Sequence, residues 1–256
     1  MLKLRDSKLI FNFYKLICNI YCLISTNIEN TFLRDNSHLK KVRKIGFFKY
    51  ELNDLDLNKI IKYKHIRDNK YKQTRFLTAS EIKKLINLIF NAELKEFITK
   101  NTGFKYSIDH FWFYEREKIS DHDTDKQWYA HEYHFDKPYS NNMLKIFIPV
   151  DIIDKEASLS VLNKKCSKDI RSMNKEDIER NIISMTGQSD KLYGFFPREC
   201  WHKDGIPISE KPATQIMFQL NPSKKWSYNI EILNKQLSME GRFPFIAYLF
   251  NKRVRI

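Results

Sequence analysis

The spacing of hydrophobic positions divides the chain near residue 105. Ahead of it the period is helical. Thr78-Ala79-Ser80-Glu81 has the form of a capping box and is followed by Ile82, Leu85, Ile86, Ile89 and Phe90 on one face, which predicts a helix ending near Gly103, where a left-handed cap costs little. Leu55, Ile60 and Ile61 fall in a second periodic run, and Leu9 to Ser25 in a third, interrupted by Asn12, Lys15 and Asn19. Beyond residue 105 the period becomes two. Runs rich in Phe, Tyr, Ile and Val predict strands over Ile108–Ile119, Gln127–Asp136, Met143–Ile153, Ser158–Leu162, Lys191–Phe196 and Ala213–Leu220. Helices first and strands afterwards indicate an α+β chain whose second part is a sandwich or jelly roll. No Pro-, Gly- or Ser-rich linker divides it, so one domain is expected over residues 1–256. Its parts are a mainly helical stretch over 1–105, a jelly-roll core over 106–223, and an extension over 224–256, with Trp226, Phe243 and Phe245, that returns to cover the sheet.

Composition narrows the chemistry. The 256 residues hold six glycines, none closer than seven positions to the next, so there is no G-x-G-x-x-G fingerprint, Walker A loop or G-x-S-x-G elbow. Four cysteines without C-x-x-C spacing read as core thiols, which fits a cytoplasmic protein. The Leu9–Ser25 segment falls short of the roughly 20 apolar residues of a membrane span and reads as a buried or interfacial helix, leaving peripheral membrane contact open.

The formal charge of +14 is uneven: residues 40–75 carry 12 Lys/Arg against 4 Asp/Glu, with Tyr63 and Tyr71 interleaved. Such a stretch suits a solvated surface, a polynucleotide or a small anionic substrate. A solvated surface is the plainest of the three.

Two histidines open an H-x-D: His134-Phe135-Asp136 and His202-Lys203-Asp204. Side chains two apart on a strand share a face, so His134 and Asp136 can offer a nitrogen and an oxygen to one ion. His202, 68 residues on, can be brought alongside by a rolled sheet. Two imidazoles and a carboxylate on one side of a cation form the facial triad of non-heme Fe(II) oxygenases, with positions left for substrate and oxygen. No histidine follows the second H-x-D, so chain order assigns the triad to the first. The following segment, Met143-Leu-Lys-Ile-Phe-Ile-Pro-Val, alternates, and places Lys145 on the same side as Met143 and Phe147. An ammonium on a buried, partly apolar face calls for an anion, and a dicarboxylate would supply one.

The run WYAHEYHFDKPYSNNMLKIFIPVDI, with GFFPRECWHKDGIPISEKPATQIMFQLNPS behind it, resembles the phytanoyl-CoA dioxygenase (PhyH-like) branch of the Fe(II)/2-oxoglutarate oxygenases over about residues 108–223. The resemblance implies a cupin-like double-stranded β-helix with a helical N-terminal region packed on one sheet. It implies iron held by His134, Asp136 and His202, and 2-oxoglutarate and molecular oxygen consumed to hydroxylate a small organic substrate. Phe147 matches a bulky position beside the co-substrate. The family places a carboxylate-clamping arginine about eleven residues beyond the distal histidine, where Ala213 and Thr214 stand here; Lys145 and Lys211 are the cations available to replace it. Asp204 stands where the family favours a small hydroxyl residue. The co-substrate contacts expected are therefore Lys145, Phe147, Lys211 and Thr214. A jelly-roll binding protein without catalysis is the alternative, and an oxygenase acting on nucleic acid, which lacks support beyond the basic stretch, is the third reading.

Overall fold

The computed structural model describes residues 8–35, 41–52, 64–69, 72–118, 131–136, 140–170, 172–230 and 253–256. The chain runs through α1 (Lys8–Phe32), α2 (Lys41–Ile45), β1 (Phe47–Glu51), β2 (Lys64–Asn69), β3 (Lys72–Phe76), α3 (Ala79–Ile89), α4 (Ala92–Thr102) and β4 (Lys105–Arg116). It continues with β5 (Leu144–Pro149), β6 (Ser160–Leu162), α5 (Lys164–Asp169), α6 (Lys175–Asn181), β7 (Ile182–Ser184), β8 (Lys191–Phe195), β9 (His202–Lys203), β10 (Ala213–Ser223), β11 (Ser227–Asn229) and β12 (Arg253–Arg255).

Two sheets result. The larger has nine strands, in the order β1-β8-β5-β10-β4-β11-β12, with β3 also paired to β4 and β2 to β3; β11 runs parallel to β4, which makes the sheet mixed. The smaller is antiparallel, in the order β7-β6-β9.

The long central strands β4 and β10 are buried on both faces, and the two faces differ in chemistry. One face presents Phe111, Phe113, Ile146, Ile148, Ile216 and Phe218 to α3 and α4. Those helices bury Ile82, Leu85, Ile86 and Ile89, then Leu94 and Ile98, against it. The other face presents Tyr114, Phe147, Tyr193, Phe195 and Met217, which pack against Leu159 and Val161 of the smaller sheet. Each strand thus keeps its period of two, with Ile and Phe toward the helices and a face that also carries Tyr, Lys and Gln toward the space between the sheets.

Local signals explain the helix ends. The Thr78 hydroxyl accepts from Glu81 N at 3.3 Å, and Glu81 Oε2 accepts from Thr78 N at 2.7 Å. The single helix predicted through to Gly103 is two: Asn91 caps a new one by accepting from Leu94 N at 2.9 Å. Gly103 ends α4 at φ 81, as its position predicted. The other departures are strands. The first hundred residues, read as helical, also supply β1, β2 and β3. Phe47-Phe48-Lys49-Tyr50-Glu51 alternates over only five residues, too briefly to outweigh its lysine-rich surroundings. In the described part of the C-terminal extension, β11 and β12 lengthen the sheet at its edge and do not lie across its face. Trp226 reaches the helical layer, donating to Thr99 Oγ1 at 3.1 Å. Leu55, Ile60, Ile61, Phe243 and Phe245 lie outside the described residues.

α1 is tied on through polar groups, among them Glu29, whose carboxylate accepts from the Asn142 amide at 2.9 Å. Burial raises the Glu29 pKa to about 7, against the opposing pull of Ser140, Asn142 and Arg43. A carboxyl raised in the folded state favours folding while protonated. That contribution is complete below its ordinary value near 4.5 and is lost as pH rises through about 7. Stability should therefore fall from about pH 5 to about pH 8, and Glu29→Gln should flatten the fall by on the order of 2 kcal/mol, read by denaturant unfolding at the two pH values.

Candidate metal centre

His134 and His202 meet through their backbones as well as their side chains. His134 N donates to His202 O at 3.0 Å and His202 N to His134 O at 3.1 Å, a single antiparallel bridge. Residues that exchange both bonds carry their side chains on the same side of a sheet. The two imidazoles accordingly lie with ring centroids 4.5 Å apart. β9 then pairs with β6, which fixes His202 in the smaller sheet. The strand predicted over Gln127–Asp136 is, within the described residues 131–136, this one bridge and no more. Asp136 is positioned separately, its N donating to Pro197 O at 3.1 Å in the turn that leads to β9.

Among the described residues His134, Asp136 and His202 form a cluster whose ligating atoms all lie within 4.8 Å of one another. Asp136 Oδ1 is 3.4 Å from His202 Nε2 and 3.8 Å from His134 Nε2. A first-row cation held at about 2.1 Å from each atom sets neighbouring ligands about 3 Å apart, so small side-chain rotations close the cage. The far ring nitrogens are also committed. His134 Nδ1 is 2.7 Å from Glu132 O, and His202 Nδ1 is 3.0 Å from Cys200 O. A carbonyl oxygen only accepts, so each Nδ1 carries a proton and Nε2 is the ring nitrogen left to ligate a metal. The donor set and its outer contacts fit a divalent cation.

Electrostatics agree with ligation. Burial, aided by His202 and Lys145, lowers the His134 pKa against the opposing pull of the Glu132 carbonyl and Asp136, so the ring is neutral at neutral pH. Burial also acts to raise the Asp136 pKa, but the Lys145 ammonium and His202 overcome it and hold the carboxyl well below the usual range, as an anion. Lys145 reaches Asp136 Oδ2 directly from β5. Phe195 walls the site at 4.9 Å from the His202 ring and stacks on Phe147 at 5.8 Å.

The remaining expected residues separate. Lys145 and Phe147 share the inner face of β5, as their alternation predicted. Thr214 lies on the opposite face of β10 from Gln215 and Met217, its hydroxyl donating to Glu115 at 3.3 Å, so it faces away from the site. Lys211 is exposed in the loop before β10. Arg116 stands directly across from Ala213, but its guanidinium donates to Gly205 O at 2.9 Å and to Ala157 O at 2.6 Å. Sequence reasoning did not single out Gln215 and Tyr114, a buried hydrogen-bonded pair on the inner face of β10 and β4. Two glutamines on one face of an otherwise apolar strand, Gln215 and Gln219 on either side of Met217, are the signal that marks Gln215. The Cys200 thiol, pushed up to about 12 chiefly by burial, donates to Gly46 O at 3.2 Å and is no nucleophile.

No protein-family model and no curated sequence matches the chain. Among solved structures, it is similar to the non-heme alpha-ketoglutarate-dependent epimerase SnoN from nogalamycin biosynthesis, with a TM-score of 0.49 and 10% identity over 71% of this chain and 80% of that one. HygX from Streptomyces hygroscopicus, solved with nickel, 2-oxoglutarate and hygromycin B, gives a TM-score of 0.46 and 10% identity over 72% of this chain and 86% of that one. EvdO2 from Micromonospora carbonacea var. aurantiaca, complexed with 2-oxoglutarate, gives 0.44 and 12% over 72% and 89%. At this level of similarity the functional reading rests on the side chains themselves.

Proposed function

We propose that the protein is an Fe(II)- and 2-oxoglutarate-dependent oxygenase, resembling the phytanoyl-CoA dioxygenases, that hydroxylates a small organic molecule on a double-stranded β-helix core. The observation that carries the reading is the convergence of His134 Nε2, His202 Nε2 and Asp136 Oδ1, with both Nδ1 atoms pinned by backbone carbonyls. Bound there, iron would supply oxygen activation coupled to decarboxylation of the keto acid. The chain's own residues do the rest. His134, Asp136 and His202 would hold the cation through His134 Nε2, His202 Nε2 and Asp136 Oδ1. Lys145, on the inner face of β5 and beside the triad, is the cation placed to take a co-substrate carboxylate. Phe147 and Phe195 present an apolar wall that keeps water from that carboxylate and strengthens its pairing with Lys145.

Anaerobic addition of Fe(II) and 2-oxoglutarate to the purified protein tests the proposal. The expected result is a weak visible charge-transfer band that requires both additions and disappears on admitting oxygen. No band at saturating concentrations of both would leave a binding protein built on the same scaffold.

A further inference from the structure

α1 is turned the opposite way from an ordinary surface helix. Its buried side is polar: Thr26 Oγ1 accepts from Asn141 N at 2.9 Å, the Glu29 carboxylate accepts from Asn142, and the Cys22 thiol donates to Asn141 Oδ1 at 3.4 Å. The other side is apolar and faces out. Phe13, Leu16, Ile17, Ile20, Leu23 and Ile24 follow the i, i+3, i+4, i+7 rule and are each 41% to 63% exposed. Single exposed aliphatics need no explanation, but six in one stripe, about 17 Å long, need an occupant. Among the described residues no helix is long and apolar enough to cross a membrane.

Charge selects the occupant. Beside α1 lies a cavity of about 430 Å³ lined in part by Lys164, Lys168 and Arg198. Among the described residues Glu199 is its one acidic lining residue, already paired with Arg43 and Lys164. Arg198 donates to Asn19 Oδ1 at 2.8 Å, and Asn19 borders the apolar stripe, so cations and stripe form one continuous surface. A second copy, also at +14, would set like charges against each other along this border. An anionic bilayer satisfies both halves, taking the stripe among its acyl chains and its phosphates against the cations.

We propose that α1 docks the protein on an anionic membrane surface, lying in the interface with Phe13, Leu16, Ile17, Ile20, Leu23 and Ile24 inward and with Arg198, Lys164 and Lys168 on lipid phosphates. This does not depend on the oxygenase reading. The test is co-sedimentation of the full chain with phosphatidylcholine vesicles, with and without about 30% phosphatidylserine, at low and high salt. Partitioning is expected to be at least about tenfold stronger with the anionic lipid, to weaken with salt, and to fall at least about tenfold in a Leu16→Glu, Ile20→Glu double variant that melts like the native chain. If that variant fails to fold, quenching of a Phe13→Trp variant by brominated lipid reads insertion directly. Equal partitioning onto both vesicles, none onto either, or a native dimer that Leu16→Glu dissociates would overturn the proposal.

Discussion

Replacing Asp136 with asparagine should weaken divalent-metal binding by at least about a hundredfold while leaving the fold intact. The amide keeps the shape of the carboxylate but removes the anionic oxygen that lies between the two Nε2 atoms. His202→Gln should cost as much, because His202 is nearly inaccessible and its Nε2 is aimed at the same point. Titration with Co(II) or Mn(II), followed by calorimetry and checked against the melting curve of each variant, gives the affinities. Phe135→Leu is the informative control. Its side chain alternates away from its neighbours' and packs on Trp201 at 4.8 Å, so the affinity should hardly move. If Asp136→Asn bound metal like the native protein, the three side chains would not be ligands.

Lys145→Met should split two affinities that a merely structural lysine would leave together. Lys145 pairs with Asp136 Oδ2 and neutralises the carboxylate whose Oδ1 a metal would take. Removing it should leave metal affinity unchanged or raise it a few-fold. The same change removes the cation proposed to hold the co-substrate carboxylate. A partly buried charge-assisted contact contributes roughly 1.5–3 kcal/mol, so 2-oxoglutarate affinity should fall about tenfold to a hundredfold. Lys145→Arg should restore most of it. The measurement is anaerobic titration of the metal-loaded protein with 2-oxoglutarate, with Lys211→Met in parallel. Lys211 is exposed, and its removal should change little. A large effect at Lys211 and none at Lys145 would move the clamp to the loop.

The triad was legible because its chemistry is written in residue type and order: an H-x-D ahead of a lone downstream histidine leaves one assignment. What holds it together was not. His134 stands in a single bridge to His202, and no local pattern announces a one-residue pairing across 68 positions. Thr214 shows the limit from the other side. Counting from His202 passes through the loop before β10, and an error of one residue on a strand exchanges its two faces, so the site-facing residue is Gln215. That Lys145 and Phe147 share a face was legible because their alternation lies wholly within β5. The strand character of β4 and β10 was equally readable. The break between α3 and α4 was not, since Ile89-Phe90 continues the apolar period and only the Asn91 cap interrupts it. The α1 stripe was visible as an apolar run, but which of its sides meets the body depends on Asn141 and Asn142, more than a hundred residues away.

Metal-dependent chemistry in this protein requires a shared vertex for His134, Asp136 and His202. The most direct measurement is anomalous diffraction from crystals of the protein grown anaerobically with Fe(II), collected on either side of the iron absorption edge. One peak within coordination distance of both Nε2 atoms and Asp136 Oδ1, with the Lys145 ammonium moved off the carboxylate, is the predicted result. Iron absent from that point, with Lys145 still seated on Asp136 at saturating metal, would contradict it.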